Sequence, residues 1–341
     1  MRRSAIAGLL LGWLAACSGG GAGADAAAPD DADPRADGMV LTWMGVTTWL
    51  LQYRDTAVLL DAYFSREPWS DIGGNALGAE LLADLRGAAE TDQISAVLIG
   101  DAHFDHSFDL FSAAITGAQV YGSQTSCYLA QAQGVTADGC TVVGDGDDFT
   151  VGDLRVRAVR LPHASPAGAG QYQELDAPPP LPVDEAGVPV GAQLAFHVDA
   201  ADDPALSLLF YDSFAALAAD DGSGQDYAAA LAAAYPTGSS ARVWLASVLP
   251  GAGDADSAAD VEAYLDRIQP EAVMAQHWDD LRADPRLGLA APFTAPDGWA
   301  AAAATRDVPL QAAQEYFDRF ALTADGFARL PDSPLQEHWG L

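Results

Sequence analysis

A chain of 341 residues, half of them hydrophobic, can bury a large core in one or two domains and is not a disordered polymer. Its formal charge is -32, and all 16 basic residues are arginine. Such a surface repels phosphate backbones and anionic lipid, which disfavours nucleic acid as a partner and charge-driven membrane binding alike. Asp outnumbers Glu by about four to one; codon bias with a solvated acidic surface and adaptation to high salt both account for that balance.

The chain opens on a targeting pattern. Arg2 and Arg3 form a positive patch, and Ala5 to Ala16 is apolar but too short for a permanent spanning helix. Leu14-Ala15-Ala16-Cys17 resembles the lipobox of bacterial lipoproteins. That resemblance implies a signal peptide over residues 1–17, with Cys17 lipidated as the mature N-terminus; an ordinary secretory signal is the alternative. Ser18 suits outer-membrane sorting. The expected location is the cell envelope, reached by export and held by lipid, at the outer membrane on its periplasmic side or surface. Residues 18–38 are mainly Gly, Ala, Asp and Pro. They cannot bury enough surface to fold and are expected to form a disordered tether. The folded domain is expected over 39–341, with no later stretch apolar enough to cross a bilayer.

Three strands are expected in quick succession, at Val40 to Trp43, Thr47 to Tyr53 and Ala57 to Leu60, with Asp61 at the end. A helix fits Asn75 to Ala89, with Leu77, Leu81, Leu82 and Leu85 on one stripe. Ile94 to Gly100 reads as a buried strand, 107–116 as a helix, Ala118 to Tyr121 as a strand and Gln124 to Gln133 as a helix. From Cys140 to Leu161 the pattern is β again, at 141–143, 148–151 and 154–161, and it stops at Pro162-His163. Residues 164–191, rich in Pro, Gly and Ala, form a loop long enough to be functional, and a partial lid is expected there. Strands follow at 193–198, 206–211, 243–248 and 272–275, with a helix at 258–268.

Acids and histidines sit just after the C-terminal ends of several of these strands, where open sheets gather their sites. The densest group is Asp101-Ala102-His103-Phe104-Asp105-His106, four candidate ligands in a chain with six histidines. Imidazole and carboxylate suit Zn²⁺, Mn²⁺ or Fe²⁺. Apart from Cys17, the cysteines are Cys127 and Cys140, and in an exported protein such a pair points to a disulfide.

The segment 101–106 resembles the His-x-His-x-Asp-His motif of the metallo-β-lactamase superfamily. Over about 39–280 the resemblance continues: His163, Asp212 in Phe210-Tyr211-Asp212-Ser213 and His277 in His277-Trp278-Asp279 match its later ligands in order. It implies an α/β (α+β) four-layer αββα sandwich of two mixed β-sheets. It implies two divalent metal ions, zinc foremost. One would be held by Asp101, His103 and His163, the other by Asp105, His106 and His277, with Asp212 bridging and Asp105 catalytic. The implied activity is metal-dependent hydrolysis of a small-molecule ester, lactone or phosphodiester. The alternative is a non-catalytic metal-binding or interaction lipoprotein on a degenerate scaffold.

One departure matters. Asp101 stands where the family has its first histidine, and the harder carboxylate suits Mn or Fe, a single-metal enzyme, or a decayed site. Asp61 is weighed equally as a turn acid and as a partner of a ligand histidine. His197 is expected to be structural, His338 solvated, and Trp43 and Trp278 core residues.

Overall fold

The computed structural model describes residues 33–66, 76–88, 93–163, 173–181, 188–219, 223–248 and 257–341. The signal peptide, Cys17 and most of the expected tether lie outside the described residues, as do 164–172 and 182–187 of the expected lid. Pro34–Leu341 form one compact unit. Among the described residues, no helix is long and apolar enough to cross a membrane.

The chain begins with β1 (Gly38–Trp43), β2 (Trp49–Tyr53), β3 (Thr56–Leu60) and α1 (Ala76–Ala88). Next come β4 (Ala96–Leu98), α2 (Phe104–Ser107), α3 (Phe111–Thr116), β5 (Gln119–Gly122), α4 (Gln124–Ala132) and β6 (Cys140–Val142). The second half holds β7 (Asp148–Val151), β8 (Leu154–Arg160), β9 (Leu194–Ala200), β10 (Asp203–Tyr211), α5 (Tyr227–Ala234) and β11 (Val243–Ser247). It continues with α6 (Ala258–Ile268), β12 (Ala272–Gln276), α7 (Asp297–Arg306) and β13 (Leu310–Ala312). β14 (Arg319–Thr323), β15 (Gly326–Arg329) and α8 (Pro334–Trp339) complete it.

The strands form two mixed sheets with helices, as the sequence resemblance implies. One is eight-stranded, in the order β15-β14-β1-β2-β3-β4-β5-β6; the other is seven-stranded, in the order β13-β12-β11-β10-β9-β8-β7. Side chains alternate across the pleat. Leu208 and Phe210 of β10 join Leu41, Leu59, Phe196 and Met274 in a core shared by both sheets. Leu209 and Tyr211 face the other way, onto Leu231, Tyr264 and Trp299 of α5, α6 and α7. Both faces are therefore apolar, which explains why these strands read as continuous hydrophobic runs. α6 shows the helical counterpart. Val261, Tyr264, Leu265 and Ile268 form its buried stripe, and Ser257 caps it by accepting from the Asp260 amide.

The helix expected over 107–116 is instead two short ones, α2 and α3. Between them Asp109 gives its amide to Ala62 O at 2.7 Å, and Ala62 gives its own to His106 O at 2.7 Å. The Asp109 carboxylate accepts from the amides of Phe64 and Ser65 and from Ser65 Oγ. Backbone pairing with the segment after β3 replaces helix continuation here.

Strand direction positions the site. β3 and β4 are parallel. β8 and β10 both run antiparallel to β9, and β10, β11 and β12 are mutually parallel. So β8, β10 and β12 all end on one edge of their sheet. That edge meets the end of β4 where Leu194, entering β9, donates to Gly100 O at 2.8 Å. At the far rim a disulfide joins Cys127 of α4 to Cys140 of β6.

Candidate metal centre

Five strand ends deliver the site. Asp61 follows β3, Asp101 to His106 follow β4, His163 follows β8, Asp212 follows β10 and His277 follows β12. Asp101 turns the chain toward α2 by accepting the His103 amide on Oδ1 at 2.7 Å. His103 itself is extended, and α2 then carries Asp105 and His106 inward, both buried.

Three groups of side chains converge. Ligand atoms of Asp101, His103 and His163 lie within 4.8 Å of one another, as do those of Asp105, His106 and His277, and those of Asp61, His106 and Asp212. The first two groups are the triads that the sequence motif implies. Asp101 Oδ2 is 2.6 Å from His163 Nε2 and 3.2 Å from His103 Nδ1. Asp105 Oδ2 is 2.9 Å from His277 Nε2 and 3.6 Å from His106 Nε2. The rings of His106 and His277 stack 5.2 Å apart at 5°.

Asp61 is a partner of His106 rather than a turn acid. Its Oδ2 lies 2.8 Å from His106 Nδ1 and accepts from Thr47 Oγ1 at 2.7 Å. Asp212 sits beside this pair, its Oδ2 3.5 Å from His106 Nδ1, with Gln193 Nε2 donating to its Oδ1. Gly100 makes room for it: a Cβ there would overlap the Asp212 carboxylate. Thr47 and Gln193 have no sequence signature that marks them in advance.

The electrostatics ask for a cation. Asp61, Asp101 and Asp212 are fully buried and Asp105 is 7% exposed. Their ion-pair partners among the described residues are imidazoles. Burial raises Asp61 and lifts Asp212 far above the carboxylate range, where the neighbouring Asp61 charge adds to the effect. Burial also opposes ionisation of Asp101 and Asp105, but His103 and His163 beside the one, and His106 and His277 beside the other, hold both low. Burial would lower His106, yet Asp105, Asp61 and Asp212 outweigh it and keep the ring cationic well above its usual range. Asp212 Oδ2 and His277 Nδ1 are buried and form no hydrogen bond. Buried acids and orphaned acceptors at this density are costly without positive charge. The nitrogen and oxygen donors suit a divalent transition ion.

The other marked residues take ordinary places. His197 bonds Tyr235 Oη at 2.7 Å, and His338 is largely exposed, 3.8 Å from Asp84. Trp278 stacks on Trp43 at 5.4 Å. The described part of the expected lid is pinned to the start of α4: Glu174 Oε2 accepts the Thr125 amide and hydroxyl, each at 2.7 Å.

Residues 40–175 match the family model of the beta-lactamase superfamily domain. None of the curated proteins matches the chain. Among solved structures it is similar to the metallo-beta-lactamase fold protein YhfI from Bacillus subtilis, with 13% identity, 84% of this chain and 100% of that chain covered, and a TM-score of 0.50. It is also similar to CmlA, a diiron beta-hydroxylase from Streptomyces venezuelae, with 11% identity, 84% of this chain and 54% of that chain covered, and a TM-score of 0.50. At these identities the likeness shows the fold alone. The match over residues 40–175 and the structural likeness together show that the chain has the metallo-β-lactamase fold.

Proposed function

We propose that the protein is a metal-dependent hydrolase acting on an ester, lactone or phosphodiester. The observation that carries this reading is the convergence of two complete triads, from strand ends in both sheets, onto one buried and strongly acidic locus. Asp101, His103 and His163 would hold one divalent ion, and Asp105, His106 and His277 the other. Bound there, such ions supply Lewis acidity and lower the pKa of water. The chain's own residues do the rest. Asp61 accepts from His106 Nδ1, which leaves Nε2 free to ligate. Thr47 steadies Asp61, and Gln193 steadies Asp212. Asp105 orients the proton of an attacking water by accepting its hydrogen bond.

The reading is tested by elemental analysis of protein purified without added metal, together with a hydrolysis screen. About two divalent ions per chain, and activity lost in His103→Ala and Asp105→Ala, are expected. Equal activity of wild type and both variants after chelation would overturn catalysis by this centre.

The additional carboxylate at Asp101 favours a second reading, di-iron chemistry other than hydrolysis, since CmlA carries such chemistry on the same fold. Iron as the dominant metal, with no hydrolysis of any ester, would support it. We also propose export and lipid attachment at Cys17, which the disulfide supports because such bonds persist in oxidising compartments. Mass spectrometry of the mature N-terminus tests this; an unmodified Cys17 would overturn lipid attachment.

A further inference from the structure

We propose that Asp279 and Arg66 are positioning residues for His277, acting through the backbone of Val46; the proposal rests on His277 being a metal ligand. His277 has a φ of 63°, in the left-handed region. Val46 has a φ of 48°, which a β-branched residue adopts only when its surroundings impose it. The two are joined, for the His277 amide donates to Val46 O at 2.8 Å. The same carbonyl accepts Trp43 Nε1 at 3.2 Å. Two unfavourable backbone conformations are thus locked together, and one of them aims a ligand imidazole.

The restraint on Val46 comes from a buried ion pair. The Val46 amide donates to Asp279 Oδ1 at 2.8 Å. Asp279 Oδ2 accepts from Arg66 Nη2 at 3.1 Å and from Tyr316 Oη at 2.9 Å. The two charged side chains are 2% and 1% exposed, and Arg66 is the only buried arginine among the described residues. Arg66 also donates to Met44 O at 3.3 Å and to Asp280 O at 3.4 Å, which ties the β1–β2 turn to the loop after β12. Its guanidinium occupies the space beside Gly45 that a Cβ would fill. Neither Asp279 nor Arg66 belongs to a ligand triad. Their connection to the centre runs from carboxylate to Val46 amide, and from Val46 carbonyl to His277 amide.

A merely structural pair would affect both ions alike or neither. A positioning pair affects the ion that His277 holds. The test is a Zn²⁺ titration of the chelator-stripped full chain by calorimetry, in which His277→Ala identifies the binding step belonging to that histidine. Asp279→Asn is expected to weaken that step about 10–100-fold, the usual effect of losing a ligand's supporting contact, and to leave the other step unchanged. The double variant with His277→Ala is expected to match His277→Ala alone. Tyr316→Phe removes a single bond to Asp279 and provides the milder variant should Asp279→Asn misfold; it is expected to weaken the same step several-fold. If these variants bind as wild type does, or weaken both steps equally, the proposal is overturned. If wild type has no step that His277→Ala removes, the metal-centre reading falls and takes the proposal with it.

Discussion

Asp61 Oδ2 lies 2.8 Å from His106 Nδ1, on the side of the ring opposite the nitrogen that faces Asp105. A carboxylate there fixes the tautomer and raises the basicity of the other nitrogen. Asp61→Asn keeps the volume and removes the charge. It is expected to reduce metal affinity about 10–100-fold, read by competition with a chelator. Unchanged affinity would show that Thr47, whose Oγ1 also lies 2.9 Å from His106 Nδ1, orients the ring without Asp61.

Gly100 and Asp212 occupy touching positions, and an added methyl group at 100 would have to share space with a fully buried carboxylate. Gly100→Ala is therefore expected to displace Asp212 and to cost about 1–3 kcal/mol of stability, as overpacking does. Denaturant titration of wild type and variant checks this.

Gly45 stands in a similar relation to Arg66, with a φ of 96° in addition. Gly45→Ala combines left-handed strain with loss of a buried charge pair. A loss of about 3–5 kcal/mol is expected, the range for breaking such a pair from one side. A thermal midpoint within a degree of wild type would contradict it.

Asp109 carries a pH signature. Burial pushes its carboxyl up to about 6, against the bonds it accepts from Ser65 and Phe64. The folded state thus holds this proton more tightly than the unfolded chain. The stabilisation is fully present below the unfolded value near 3.8 and is lost as pH rises through about 6. Asp109→Asn lacks this term. Relative to wild type, the variant is expected to gain about 1.4 kcal/mol between pH 5 and pH 8. Chemical denaturation at the two pH values reads it, and a gap independent of pH would refute it.

Much of this architecture was legible from periodicity. The helix at 258–268 and the strand at 148–151 match α6 and β7 in the structure, because a buried stripe or a clear alternation with turn residues at both ends marks them. α5 and α7 went unread: alanine-rich segments carry little contrast between faces, and the hydrophobic pattern has nothing to fix on. The convergence of Asp101, His103 and His163, and of Asp105, His106 and His277, was foreshadowed by residue type at strand ends. The supporting contacts were not. Arg66 reaches Asp279 across more than two hundred positions, and Gln193 reaches Asp212 from the residue just before β9. Such pairs arise from tertiary packing and leave no mark at short range. Asp61 could have been resolved only by knowing that the chain returns to it at His106.

The cross-link between α4 and β6 bears on where this molecule can be made. β6 is the outermost strand of its sheet, short, with Val142 half exposed. An unpinned rim of that kind is a template on which a neighbouring copy can add a strand. In a cytoplasm that keeps thiols reduced, newly made chains would present this rim to each other, and yield would fall through clumping. Production in an oxidising compartment, where the bridge can close, would remove that hazard.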